Sequence, residues 1–332
     1  MAKYKPNSKK ALYMKTDSKF LDQTLRPNNW DEYIGQNSIK QNIHILLTAA
    51  KERGESAEHM LFYGPPGLGK TTIAHLIAKE TGRNITVTSG PAIEKIGDLA
   101  SILTNLAPHD ILFIDEIHRL SKLVEEILYP AMESGVMDIM IGKGPSARSV
   151  QLELPPFTLI GATTRISLLS APLRSRFGGG VFRLEYYSHD ELAKILERSA
   201  KIIEVDMDAG GIDEIVKRSR KTPRAANYFL KRVRDYGQVK NMPLDKNTAD
   251  LALSMLGIDK LGLNQIDREY LKTLLHKFKG GPTGLSTLAV SLHEDEGTIE
   301  DVVEPYLLSL GFIERTPRGR TITDMGIEHI NE

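Results

Sequence analysis

The 332-residue chain has no cysteine, which excludes a disulfide framework, a thiolate zinc site and a cysteine nucleophile together. It has no excess of either charge. Its 43 Lys+Arg balance 43 Asp+Glu, so the total gives no pull toward nucleic acid and only local patches can supply one. No apolar run approaches the ~18 residues of a membrane span, and the N-terminus lacks a secretory apolar core. Its nine histidines show no metal-ligand spacing, and internal repeats and low-complexity tracts are missing. These absences predict a soluble, cytoplasmic protein. What is present is enough apolar content, 41%, to build real cores. At about 150 residues per domain, the length suggests two or three of them.

Residues 1–20 carry six lysines and a single acid, Asp17, and read as a flexible basic arm. Short apolar runs then alternate with helical patterns up to Tyr187, as parallel strands joined by helices do. The strand candidates are Met60–Tyr63, Ile85–Thr88, Ile111–Ile114 and Thr158–Ala162. Between them Met137, Ile139 and Ile141 alternate, Gly142–Pro145 turns, and Val150, Leu152 and Leu154 alternate again, which predicts a β-hairpin inserted in the α/β core. Residues 188–258 read as all-helical, with Leu192, Ile195, Leu196 and Ser199 on one face, and Gly257 and Gly262 bracket a linker. Residues 261–332 read as a third unit of helices followed by a short hairpin. In it Thr298–Asp301 has capping-box spacing and opens a helix with Ile299, Val302, Val303, Tyr306, Leu307 and Leu310 on one face.

Gly64-Pro65-Pro66-Gly67-Leu68-Gly69-Lys70-Thr71 fits G-x-x-x-x-G-K-[ST], after an apolar strand and before an apolar helix. Gly64, Gly67 and Gly69 let backbone N–H groups converge on phosphates at a helix N-terminus. Lys70 reaches the β and γ phosphates, and the Thr71 hydroxyl ligates Mg²⁺. Thr72, in the same turn, is counted with the nucleotide contacts. The second element, Ile111–Glu116, is a buried strand ending in two carboxylates. Asp115 there suits Mg²⁺, held through water, and Glu116 suits polarising the attacking water. The pair predicts an ATPase.

With these strings in hand the chain resembles the AAA+ ATPases and, more closely, the RuvB family of Holliday-junction branch-migration motors. The resemblance covers nearly everything beyond residue 20. It rests further on Arg26-Pro27, Tyr33–Gln36, Thr88–Pro91, Leu112–Leu120, Leu128–Glu133, Pro155–Arg165, Pro172–Gly178, Thr222–Arg224, Thr298–Leu307 and Arg315–Arg320. It implies an AAA+ P-loop core with a parallel sheet and inserted β-hairpin over 21–187, a helical lid domain over 188–258 and a C-terminal winged-helix domain over 261–332. It implies hexameric rings on duplex DNA, ATP and Mg²⁺ as cofactors, a RuvA-type junction-binding partner and a RuvC-type resolvase in the same complex.

Residue by residue, the resemblance makes Thr163 the first sensor, with Thr164 as the neighbouring alternative. Arg176 becomes an arginine finger acting in trans, with Arg174 the weaker candidate, and Arg224 the second sensor. Leu25, Arg26 and Tyr187 fall on the adenine and ribose side, and Glu133, Ser134 and Gly135 near a subunit boundary. Val150 and Leu152 are placed at a partner-docking patch or, equally by periodicity, packed on the parent domain. The wing arginines Arg315, Arg318 and Arg320 suit phosphate contacts that do not read sequence. Residues 215–240 hold nine Lys/Arg and one acid; Arg224 goes with the nucleotide, and Lys231, Arg232 and Arg234 read as a solvated helix face or subunit contact. His118 is read as structural or as supporting the acidic pair.

Two departures from the family pattern stand out. Lys221 replaces a glycine, which predicts a slightly different start to the following helix. Gly178–Gly180 is one residue longer, which predicts a looser loop after Arg176. Two other readings use the same ATPase core: a clamp-loader-like switch that does not translocate, and a DNA-binding regulator whose ATP site controls assembly.

Overall fold

Residues 23–141 and 148–331 are described by the structure, a computed structural model. The basic arm and the predicted turn Gly142–Pro145 lie outside the described residues. The chain divides into two compact units between Tyr187 and Ser188.

In the first unit, α1 (Asn37–Arg53) precedes β1 (Met60–Tyr63), α2 (Lys70–Thr81), β2 (Ile85–Ser89), α3 (Ile96–Thr104), β3 (Ile111–Asp115) and α4 (Lys122–Ser134). Then follow β4 (Val136–Ile141), β5 (Arg148–Glu153), β6 (Thr158–Thr163), α5 (Ala171–Ser175) and β7 (Val181–Arg183). β4 and β5 pair antiparallel as the predicted hairpin. The other five strands form one parallel sheet in the order β2-β3-β6-β1-β7. All of β6 and Ile111–Ile114 of β3 are buried, which is why the central strands read as unbroken apolar runs.

The sequence pattern did not indicate β7. Three residues are too few to show a period, and its formation depends on the free edge of β1: the Leu61 N–H donates to the Gly180 carbonyl at 3.0 Å and the Leu184 N–H to that of Tyr63 at 2.8 Å. The preceding glycines are correspondingly fixed, not loose. The Gly179 N–H donates to the His59 carbonyl at 2.9 Å, and a Cβ on Gly179 would lie 2.8 Å from the Glu58 carbonyl oxygen.

The second unit begins with α6 (His189–Ile202), α7 (Ala209–Arg218), α8 (Pro223–Lys240) and α9 (Lys246–Met255). Leu192, Leu196 and Ser199 are buried on the predicted face of α6, and Ile195 is half-buried. Much of the basic stretch is structural. Arg218, 1% exposed, donates to Glu214 at 2.6 Å and to the Ile258 carbonyl at 3.2 Å, and also pairs with Asp250. Arg220 donates to the Gly262 carbonyl at 2.9 Å, pairs with Asp267 and lies over the Tyr306 ring. The segment read as a linker is thus clamped. A Cβ on Gly262 would lie 2.3 Å from the Arg218 carbonyl oxygen, so only glycine fits.

Lys221 sits at φ 55°, directly after Arg220 at φ 52°. Left-handed backbone is unfavourable for any residue with a Cβ. The helix start is otherwise ordinary: Thr222 accepts from the Ala225 N–H at 3.4 Å and Pro223 occupies the first turn. Lys221→Gly is expected to raise stability by about 0.5–1 kcal/mol, read as a higher urea midpoint at unchanged slope. A lower midpoint would mean that the lysine side chain outweighs the backbone cost.

The remainder comprises α10 (Gln265–Lys272), α11 (Leu285–Leu292), α12 (Glu304–Ser309), the hairpin β8 (Ile313–Thr316) and β9 (Gly319–Ile322), and α13 (Asp324–Asn331). Its core gathers Tyr270, Leu271, Leu274, Leu288, Ile299, Val303, Leu307 and Ile313. The expected capping box does not form. The helical path starts earlier, with the Ile299 N–H donating to the Asp295 carbonyl at 3.1 Å, and Thr298 is already helical at φ −61°. A π-helical turn over Ile299–Val303 then shifts the phase of the apolar face. Ile299, Val303 and Leu307 point inward, whereas Val302 is 55% exposed.

Candidate functional site

The phosphate loop joins β1 to α2, and its glycines occupy backbone that other residues resist. Gly64, Gly67 and Gly69 have φ of 141°, 84° and 99°. A Cβ on Gly64 would come within 2.7 Å of the Leu184 carbonyl oxygen. Lys70 is buried, and its ammonium donates to the Gly64 carbonyl at 2.7 Å and the Pro65 carbonyl at 3.0 Å, which holds it against the loop. Thr71 and Thr72 follow half-buried in the first turn of α2, where backbone N–H groups and the helix dipole favour anions.

Two strands supply the facing groups. β1 and β3 flank β6, so the ends of all three carry the loop, Asp115–Glu116 and Thr163–Thr164 to one edge of the sheet. That edge is where parallel sheets bind ligands. Asp115 accepts from the Glu116 N–H at 3.0 Å. Glu116 is left-handed, at φ 48° and ψ 43°, and its carbonyl oxygen would lie 2.4 Å from a Cβ on Gly90. The strained backbone turns the glutamate out of the strand direction.

The two threonines part company. Thr163 is fully buried; its hydroxyl lies 2.9 Å from His118 Nδ1 and accepts from the Arg165 N–H at 3.0 Å. Thr164 is half-buried, and its hydroxyl donates to Glu116 Oε2 at 3.3 Å. His118 Nδ1 is also 3.3 Å from Glu116 Oε2, so it touches both the acid and Thr163.

Tyr187 is buried; its hydroxyl donates to the Leu68 carbonyl at 3.2 Å and lies 3.2 Å from the Tyr33 hydroxyl. A Cβ on Gly69 would lie 3.2 Å from the same Tyr33 hydroxyl. Burial pushes the Tyr33 phenol well above its usual range, so it stays neutral. Sequence reasoning quoted Tyr33 within a string but gave it no role; the signal was its place there, not its residue type. Leu25 is buried and Arg26 half-buried, with Arg26 among the causes that lower the pKa of His75 after burial itself.

Arg176 ends α5. It donates to the Pro172 carbonyl at 2.7 Å, meets Glu133 at 3.1 Å and lies 4.5 Å over the Tyr129 ring. The structure therefore joins Arg176 with Glu133 at the C-terminal turn of α4, where Ser134 and the left-handed Gly135 follow. None of these contacts involves the phosphate loop or the acidic pair. In the hairpin Leu152 packs on the core of its own unit, opposite Met137, while Val150 is 38% exposed.

In the second unit, Arg224 is exposed in the first turn of α8. The wing arginines separate. Arg315 and Arg320 are register partners, and both turn onto the fully buried Glu304, with Nε–Oε distances of 2.7 and 2.9 Å. Arg318, at the turn, is exposed.

A phosphate loop, an acidic pair and threonines on one sheet edge define an ATPase core; the following segments define which one. The family description "Holliday junction DNA helicase RuvB P-loop domain" matches residues 25–183, "RuvB AAA lid domain" 187–259 and "RuvB C-terminal winged helix domain" 260–331. The chain belongs to the RuvB family. A curated RuvB family relative from Dehalococcoides mccartyi, named Holliday junction branch migration complex subunit RuvB, is 58% identical over 319 residues, covering 95% of this chain and 90% of its own. Among solved structures, the Thermotoga maritima RuvB Holliday junction branch migration motor matches with a TM-score of 0.85 and 47% identity over 93% of this chain and 99% of that one. A lysine-to-arginine mutant of the same RuvB matches with a TM-score of 0.85 and 47% identity over 92% and 98%. Among the described residues, no helix is long and apolar enough to cross a membrane.

Proposed function

We propose that this chain is the ATP-driven motor of Holliday-junction branch migration, acting in recombination and repair as a hexameric ring on duplex arms in the cytoplasm. It would work with a RuvA-type junction-binding protein and in the company of a RuvC-type resolvase. The observation that carries the reading is the convergence of Lys70, Thr71, Asp115, Glu116 and Thr164 on one sheet edge in a chain with the family's lid and winged helix.

The loop fits a nucleotide phosphate chain: left-handed glycines, a Cβ-intolerant Gly64 and the Lys70 ammonium form an anion cradle. Mg²⁺ fits beside it, since Thr71 and Asp115 offer oxygen ligands. No group of three or more His, Asp or Glu among the described residues could hold a metal alone. That suits an ion bound chiefly through phosphates and water. When bound, Mg²⁺ would supply charge neutralisation for the phosphates. Lys70 binds and orients the phosphates, and Glu116 positions and polarises water. Thr164, in contact with Glu116, is the better sensor of the γ-phosphate; the Thr163 hydroxyl is committed to His118 and the backbone. Arg176 serves a neighbouring subunit's ATP, Arg224 senses nucleotide from the lid, and Leu25, Arg26, Tyr33 and Tyr187 wall the adenine side. Glu133, Ser134 and Gly135 belong to the boundary that presents Arg176. Val150 is left as the hairpin's docking residue. Among the wing residues Arg318 is the free phosphate contact, and Arg315 and Arg320 shape the wing.

ATP turnover and four-way-junction dissociation, followed in parallel with and without a RuvA-type partner, test this reading. Both are expected to rise together when junction and partner are present. Turnover that rises while the junction stays intact would favour the clamp-loader-like switch instead.

A further inference from the structure

The short helix α5 starts at Ser170, its N-cap, and ends at Arg176. A five-residue helix has little intrinsic stability, so its direction must be set from outside. One side chain of α4 touches both ends. The Tyr129 hydroxyl donates to Glu125 Oε1 at 3.1 Å and lies 2.9 Å from Ser170 Oγ, which caps α5 by accepting from the Leu173 N–H at 3.2 Å. Ser170 also bonds Glu125, a carboxylate 9% exposed. At the other end the Tyr129 ring lies under the Arg176 guanidinium at 4.5 Å.

Arg176 is otherwise held by the Pro172 carbonyl of its own helix, at 2.7 Å, and by Glu133. Glu133 is 55% exposed, so its ion pair is screened by water. The Arg176 Nε is buried and has no acceptor. A guanidinium over a ring face is held by the ring, and its Nη1 and Nη2, already bonded to Pro172 and Glu133, each keep a second N–H for a new partner.

We propose that Tyr129 is the positioning residue of the arginine finger: its hydroxyl fixes the start of α5, and its ring sets the plane in which Arg176 meets the neighbouring subunit's γ-phosphate. This rests on the reading of Arg176 as a finger acting in trans. Removal of the ring should leave a subunit's own pocket intact and impair the pocket of its neighbour.

The test uses full-length chains with junction DNA. Tyr129→Leu is expected to lower kcat about tenfold, with nucleotide affinity and KM for ATP unchanged. Tyr129→Phe keeps the ring and loses only the hydroxyl's hold on Glu125 and Ser170, so its loss should be smaller, about threefold. Mixing decides whether the loss is positional. Lys70→Ala subunits have no working pocket but an unaltered finger, so adding them to Tyr129→Leu subunits should restore turnover in mixed rings. Destabilisation alone cannot be complemented this way. Arg176→Ala mixed with Lys70→Ala is the parallel arm. If Arg176→Ala is complemented and Tyr129→Leu is not, the positioning role is overturned while the finger stands. Failure of the Arg176→Ala mixture overturns the finger reading itself. A Tyr129→Phe loss equal to that of Tyr129→Leu would also overturn the role assigned to the ring.

Discussion

Glu116→Gln is expected to bind ATP as the unaltered chain does and to turn it over about a thousandfold more slowly, as loss of a positioned base costs. Glutamine fills the same volume, so the left-handed backbone at φ 48° and the contact with Gly90 survive. Lys70 and the loop glycines, proposed above to hold the phosphates, are untouched. What is lost is the carboxylate that accepts from Thr164 at 3.3 Å and would take a proton from water. A thousandfold corresponds to about 4 kcal/mol of barrier. Titration with a fluorescent ATP analogue, beside phosphate release under saturating ATP and junction DNA, separates binding from chemistry. Turnover within tenfold of normal would place the water-activating group elsewhere. Such a variant traps the nucleotide-bound state, whereas Lys70→Ala should lose nucleotide binding altogether.

Glu304→Gln should unfold the winged helix far more readily than any substitution on the wing surface. The carboxylate is fully buried and accepts from the Tyr270 hydroxyl at 2.9 Å, from Arg315 Nε at 2.7 Å and from Arg320 Nε at 2.9 Å. Removing its charge leaves two guanidinium groups facing a neutral amide. The Arg320 side chain is only 16% exposed and suffers most, while Arg315, at 40%, is partly rescued by water. Breaking a buried ion pair costs about 3–5 kcal/mol. For a domain of about 70 residues that corresponds to a fall of roughly 12–40 °C in the melting temperature. Thermal unfolding followed by circular dichroism measures it. Arg318→Ala, in contrast, should leave the melting temperature unchanged. A Glu304→Gln chain that melted normally would show that water already shares the arginine network, and would return Arg315 and Arg320 to the DNA-facing set.

The wing shows where sequence reasoning stopped. Three arginines within six residues read as one phosphate-binding group, because charge pattern records residue type and not direction. Only the fold brings Glu304, eleven residues before Arg315, beneath two of them. Arg218 and Arg220 extend the lesson in the lid: Arg218 bonds Glu214 one turn earlier in its own helix, but its Ile258 carbonyl partner and the Asp267 partner of Arg220 lie 40 and 47 residues away. The same holds for Arg176, whose tyrosine platform lies 47 residues earlier in the chain (176 − 129).

Local chemistry by itself determined a great deal. The phosphate loop, the strand ending in Asp115-Glu116, four of the five sheet strands and the hairpin were all legible, because each depends on a short run whose residue types leave the backbone few choices. Tertiary structure alone decided which of Thr163 and Thr164 faces Glu116, which arginines are spent on internal carboxylates, and that Val181–Arg183 joins the sheet. Neighbouring side chains on a strand point to opposite sides, and a long cation takes whichever anion the fold brings within reach. Those outcomes depend on contacts between distant segments, and no local pattern encodes them.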